Sequence, residues 1–336
     1  MSVAPEPRGP LSELLLDALS GPPGRRGPAS PAPECADALT DEDLQLALYC
    51  CYELHYRGLP GVDERWEWDP WLLQLRAGLE REFEQALESE IGPPAGSAPP
   101  DEMDLALRAI AEEDDGPSLS TYVERHADLD QVIEFVIHRS AYQLKEADPH
   151  SWALPRLSGP PKAALVEIQA DEYGGGRPER IHATMFARSM EALRLDSTPG
   201  AYLDAIPGYT LATVNLMSLF GLHRRLRGAI VGHLALFEMT SSIPNRRYAT
   251  GLRRLGLGED ATAFFDEHVE ADAVHEAIAA VDLAGGLARQ EPRLGRDILW
   301  GARALAALDA RWTANVLDAW EAGESSLRSA VPRVAA

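Results

Sequence analysis

Three residues in the window 267–276 (EHVEADAVHE), namely His268, Asp272 and His275, stand four and three positions apart. An α-helix advances about 100° per residue, so Asp272 lies about 40° round from His268 and His275 about 20° the other way. All three then project from one face within about two turns. Two imidazole nitrogens and a carboxylate converging on a cavity form a ligand set suited to iron, manganese or zinc. The alternative is an exposed acidic face that happens to hold two histidines.

A second window, 164–190, contains Glu172 and His182 on either side of a triple glycine. Ten residues of straight helix would leave them about 80° out of phase and about 15 Å apart. Gly174 to Gly176 can end or unwind that helix, and Pro178 suits the first turn of a new one, so the two side chains can meet across a break. GGG as a plain loop, with Glu172 solvated, is the competing reading. Glu238 follows an apolar run in GHLALFEMTSS, where an ionised carboxylate is costly unless it is paired or holds a cation. Glu146 in AYQLKEADPHSW stands at the end of a helix that Pro149 must terminate. Together these segments supply four carboxylates and three imidazoles. That is too many for a closed structural zinc site, and it matches two oxygen-activating metals bridged by carboxylates in a helical bundle.

The elements that must position these residues read as helices throughout. LTDEDLQLALYCCYELHYR opens with a Thr/Asp cap, and apolar residues then recur three and four apart. Four further segments beginning at Asp69, Asp101, Asp128 and Gly258 have the same character. The last long helix, from Arg296, places Trp300, Trp312 and Leu317 on a core-facing stripe. No alternating strand pattern of useful length and no internal repeat is present, so an all-α bundle is expected. Residues 1–40, dense in Pro, Gly, Ala and Ser, read as a flexible arm. Residues 41–125 read as an N-terminal helical extension, 126–325 as the metal-bearing bundle, and 326–336 as a flexible tail.

The 336 residues are 45% apolar and 7% aromatic, enough for a buried core. A net charge of −22 repels nucleic-acid backbones and anionic membranes. No stretch reaches the roughly 18 apolar residues of a membrane span, and the N-terminus lacks an export signal's pattern. Cys35, Cys50 and Cys51 form neither a CxxC pair nor a disulfide framework, which fits a cytoplasmic protein.

With these motifs the chain resembles the haem-oxygenase-like non-haem diiron oxidases and oxygenases, a family of iron-containing redox enzymes. The resemblance rests on EADPHSWALPRLSGPPKAALVEIQADEYGGG followed by His182, on HLALFE and on FFDEHVEADAVHE, and covers roughly residues 130–290. It implies Glu146, Glu172, His182, Glu238, His268, Asp272 and His275 as metal ligands, with Glu167 and Asp171 as competitors of Glu172. It also implies a haem-free bundle of about seven helices and two Fe(2+) per chain, the second held weakly. Dioxygen would be the co-substrate, and a small organic molecule would undergo hydroxylation, desaturation or C–C cleavage. An unidentified electron donor is implied too, and the first 130 residues would pack on the bundle or form a homodimer.

Two other classes compete. A magnesium-dependent terpene-type synthase could use EEDDG (Glu112 to Gly116), but no second acidic motif accompanies it. A non-catalytic helical binding or scaffold protein would leave the seven residues as surface polar groups. His55, His126, His138, His150 and His223 read as ordinary surface or core histidines, and His233 as a residue standing behind the ligands. Trp66, Trp68 and Trp71 read as packing. The basic clusters HRRLR and NRRYATGLRR read as offsets to the acidic bundle, with a substrate carboxylate as their alternative partner.

Overall fold

A computed structural model describes residues 4–24, 35–113, 116–329 and 331, except for the side chains of Glu270, Asp272 and Ala273. Among the described residues the chain is helical, with short 3-10 turns, one π-helical segment and no strand. The N-terminal helices are α1 (Pro10–Leu19), α2 (Glu42–Glu53), α3 (Pro70–Ile91), α4 (Met103–Glu112) and α5 (Leu119–Arg125). The bundle continues with α6 (Leu129–Gln143), α7 (Asp148–Ser151), α8 (Gly159–Glu172), α9 (His182–Ala192) and α10 (Gly208–Leu222). It closes with α11 (Arg227–Arg254), α12 (Glu259–Ala277), the π segment Ile278–Gly285, α13 (Gly286–Gln290) and α14 (Gly295–Glu321). Apart from the short α7 and α13, the stretch from residue 126 on is built on seven longer helices, as the resemblance implies.

α11 is the centre of the packing, with α12 along one side and α14 along another. Glycines set the closeness of the α11–α14 crossing. A Cβ on Gly232 would stand 1.8 Å from the Ile298 carbonyl oxygen, and one on Gly301 would stand 2.1 Å from that of Ala229. Only a bare backbone allows such an approach. The stripe expected on α14 is in the core: Trp300, Trp312 and Leu317 are all buried. α12 continues into the π segment, which packs on α8, so the helices carrying His275 and Glu172 are braced against each other.

The N-terminal helices are part of this packing. α2 lies on α10, α5 on α11, and α4 on both α14 and the π segment. The arm expected over residues 1–40 contains a packed helix, because α1 buries Leu11, Leu15 and Leu19 against α2, while residues 25–34 lie outside the described residues. Asp43 caps α1, accepting the N–H groups of Leu11 at 2.8 Å and Ser12 at 2.7 Å. A leucine stripe plus a charged cap offsets the ordering entropy that composition alone could not. Two described residues of the segment expected as a tail, 326–336, are anchored. Ser326 is buried with its hydroxyl 2.6 Å from Glu134, and Arg328 reaches Glu42 at 2.9 Å. Among the described residues no helix is long and apolar enough to cross a membrane.

Candidate metal centre

Glu146 lies in the turn after α6, because the helix expected to reach it ends earlier, at Gln143. Ala147 takes a left-handed φ of 72°, and Pro149 lies in the first turn of α7. The turn is held from three sides. Lys145 forms a buried ion pair with Glu53 of α2 at 2.6 Å, and Arg57 donates to the Leu144 carbonyl at 2.8 Å. Gln169 of α8 donates to the Ala147 carbonyl at 3.0 Å. The N-terminal helices therefore help to aim Glu146.

Glu172 ends α8, and the glycines after it turn the chain back as expected. Gly174 has φ +72°, and a Cβ there would sit 2.7 Å from both Arg180 C and Ile181 N. No other residue type fits this close return, which brings His182 at the start of α9 onto Glu172. His182 Nδ1 lies 2.8 Å from Glu172 Oε2. From α12, His268 faces the same cluster, its Nε2 3.5 Å from Glu146 Oε1 and its ring centroid 4.5 Å from that of His182. His268 Nδ1 lies 2.8 Å from the Phe264 carbonyl, a contact that places the proton on Nδ1 and leaves the Nε2 lone pair for the cluster.

His275, two turns further on, closes a second cluster. Its Nδ1 is 3.4 Å from Glu238 Oε2 on α11 and 3.8 Å from Glu172 Oε1. The ligand atoms of Glu146, Glu172, His182 and His268 lie within 4.8 Å of one another, and so do those of Glu172, Glu238 and His275. Glu172 belongs to both groups. All six residues are buried. Of the competitors in that window, Glu167 is exposed, and Asp171 is half exposed and touches His275 Nε2 at 3.2 Å from the outer side. Asp272 is on α12, and its side chain lies outside the described residues.

These groups fit a cation better than they fit each other. Glu146 Oε2 is buried and has no hydrogen-bond partner among the described residues. Glu172 Oε2 and His182 Nδ1 are close but misaligned for a hydrogen bond, as is His275 Nδ1. Buried polar atoms left in this way cost about 1–3 kcal/mol each. Atoms aimed at a common point, rather than at one another, are what metal ligands require.

The electrostatics agree. Burial opposes charge on His275, yet contact with Glu238 and the charges of Glu172 and Asp171 outweigh it and lift its pKa to about 9. Burial likewise opposes charge on His182, and the Glu172 contact raises its pKa nonetheless. For Glu172, burial acts to raise the pKa, but His182, His268 and His275 overcome it and hold the carboxyl ionised. The cluster thus keeps protons that a cation would displace.

A small cavity of about 10 Å³ lies among Glu146, Glu172, Glu238 and His268, closed by Leu234 and Phe237. His150 also lines it, its Nε2 3.2 Å from His233 Nδ1. Burial lowers the pKa of His150 to about 4 and that of His233 as well, so both stay neutral. His233 thus stands behind His150, and His150, read from sequence as an ordinary surface or core histidine, is buried in the cavity wall. His138 sits in the core, bonded to Thr210 and Ser326. Trp66 is buried and Trp68 exposed. Five arginines of the basic clusters have partners of their own: Arg225 with Glu84, Arg227 with Glu291, Arg253 with Asp266, Arg254 with backbone carbonyls, and Arg247 with the Ser118 and Ser120 hydroxyls. Asp114 and Asp115 of the EEDDG motif lie outside the described residues.

A family model described as iron-containing redox enzyme matches residues 133–310, more than half of the chain. The chain is also 29% identical over 137 residues to a nitrosourea synthase of Streptomyces achromogenes subsp. streptozoticus. The matched stretch spans 40% of this chain and 29% of the synthase's length.

Proposed function

The chain belongs to the iron-containing redox enzyme family, and on that premise we propose that it is an oxygen-activating diiron oxidoreductase acting on a small organic molecule. The observation that carries this reading is the position of Glu172 in two buried donor groups at once. One group offers Glu146, His182 and His268, the other Glu238 and His275, and Glu172 bridges them. Asp272, on the same helix face by spacing, is proposed to complete the second group.

Ferrous ions held there would supply the electrons that reduce dioxygen and the oxidising power turned on the substrate. The protein's part is set by its own residues. The Phe264 carbonyl fixes the His268 tautomer, and four carboxylates against two dications keep the centre near neutral. The neutral His150 and His233 add no charge to it. Leu234 and Phe237 give the cavity an apolar wall, which would help to keep water from a reactive centre.

Anaerobic loading with ferrous ion, then mixing with oxygenated buffer, tests the reading. Oxygen uptake stoichiometric with bound iron and abolished in Glu172→Ala supports it. Uptake no faster than that of free ferrous ion contradicts it.

A further inference from the structure

Beside the metal centre lies a chamber of about 360 Å³, within the size range of small-molecule sites. Phe135, Tyr248, Phe265 and Trp312 give it aromatic walls, and Phe237 forms its boundary with the ligand cavity, lining both spaces. Two polar side chains from α6 line it one turn apart, Arg139 and Gln143, and Glu146 comes three residues later.

Arg139 is unusual in a chain with 53 acidic and 31 basic residues. Other inward arginines meet carboxylates, such as Arg8 with Glu42 at 2.7 Å and Arg76 with Glu80 at 3.3 Å. The Arg139 guanidinium instead lies 4.3 Å over the Trp312 ring and 5.9 Å over Phe135, beside the Tyr248 hydroxyl. It forms no ion pair within 4.0 Å among the described residues. A half-buried guanidinium against an aromatic wall is a strong carboxylate anchor. Gln143 is more than nine-tenths buried, and its Oε1 has no partner among the described residues. An unmet acceptor of this kind calls for an N–H or O–H donor.

We propose that the chamber binds a carboxylate-bearing substrate. Arg139 holds its acid end, the aromatic walls hold its body, and Gln143 accepts a hydrogen bond from an N–H or O–H about one helical turn (about 5–6 Å) away. That donor end faces Phe237 and the metal centre, so oxidation falls at the end remote from the carboxylate. The assignment of a reacting end rests on the proposed function; the binding itself does not. The acid end can come from a simple carboxylic acid or an α-amino acid.

Calorimetric titration of the full chain, metal-free and iron-loaded, tests this with 4-hydroxyphenylacetate, phenylacetate, 4-hydroxyphenylacetamide and 4-hydroxyphenylglycine. The acid is expected to bind at least tenfold tighter than its amide. Arg139→Gln should remove that difference and leave the amide unchanged, while Arg139→Lys restores part of it. Gln143→Leu should remove the preference for 4-hydroxyphenylacetate over phenylacetate. Tighter binding of the glycine identifies the amino-acid source, and the reverse order the simple acid. Equal binding of acid and amide by the wild type, or unchanged acid binding in Arg139→Gln, overturns the proposal. Iron content measured on the ferrous-loaded samples separates the two ideas: acid selectivity in a loaded sample that retains no iron refutes the diiron reading alone, and two bound irons without acid selectivity refute this one alone.

Discussion

Glu172 and His182 stand ten residues apart in the chain, yet a carboxylate oxygen of one lies 2.8 Å from a ring nitrogen of the other without forming an aligned hydrogen bond. The other oxygen of Glu172 faces His275 at 3.8 Å. One side chain thus serves two donor groups, and the account can be tested by removing it.

Glu172→Ala should cost both metals, whereas Glu146→Ala and Glu238→Ala should each cost the one on their own side. Iron determined after ferrous loading and gel filtration gives the comparison. Equal losses from all three variants would show that Glu172 is not shared.

Gly174→Ala should weaken the His182 side in particular. A side chain at φ +72° with backbone atoms at 2.7 Å is strained by about 1–3 kcal/mol. Relieving that strain moves residues 180–182 outward, so iron content should fall together with the melting temperature. Gly258→Ala, at the N-cap of α12 where φ is −87° and no atom lies within 4 Å, should leave the iron content unchanged.

Lys145→Met leaves Glu53 buried without its cation and should destabilise the chain by about 3–5 kcal/mol in urea titrations. Glu53→Leu combined with Lys145→Met should recover most of that loss. If the single variant is as stable as the wild type, the N-terminal helices do not brace the Glu146 turn.

Stability of the metal-free chain should fall as pH drops below about 6.5, in part through His138. Burial lowers the pKa of its imidazole to about 3. Between those values the unfolded chain binds a proton that the folded chain refuses. Stability is therefore present above pH 6.5 and is lost on acidification, by up to about 1.4 kcal/mol per pH unit. Between pH 6.5 and 5, His138→Asn should show a loss smaller by about 1–2 kcal/mol. A variant that tracks the wild type would remove His138 from this role.

Much of the centre was legible because its signals are local. The spacing of His268 and His275 places both on one helix face, and Gly174 to Gly176 announce the break that lets Glu172 meet His182. The choice of Glu172 over Glu167 and Asp171 was not local, since it depends on which face of α8 the π segment covers. Arg139, Gln143, Phe237 and His150 were missed for a similar reason. Each is ordinary in its own segment and acquires a role only where α6, α11 and α14 meet. The α1 helix was hidden by a composition rich in proline and glycine, and its cap, Asp43, comes from another element.

Anomalous scattering at the iron edge from crystals grown with ferrous ion shows whether Glu172 stands between two irons. Two peaks are expected to flank its carboxylate, one beside His182 and His268 and the other beside His275 and Glu238. A single peak, or peaks away from Glu172, would contradict that arrangement.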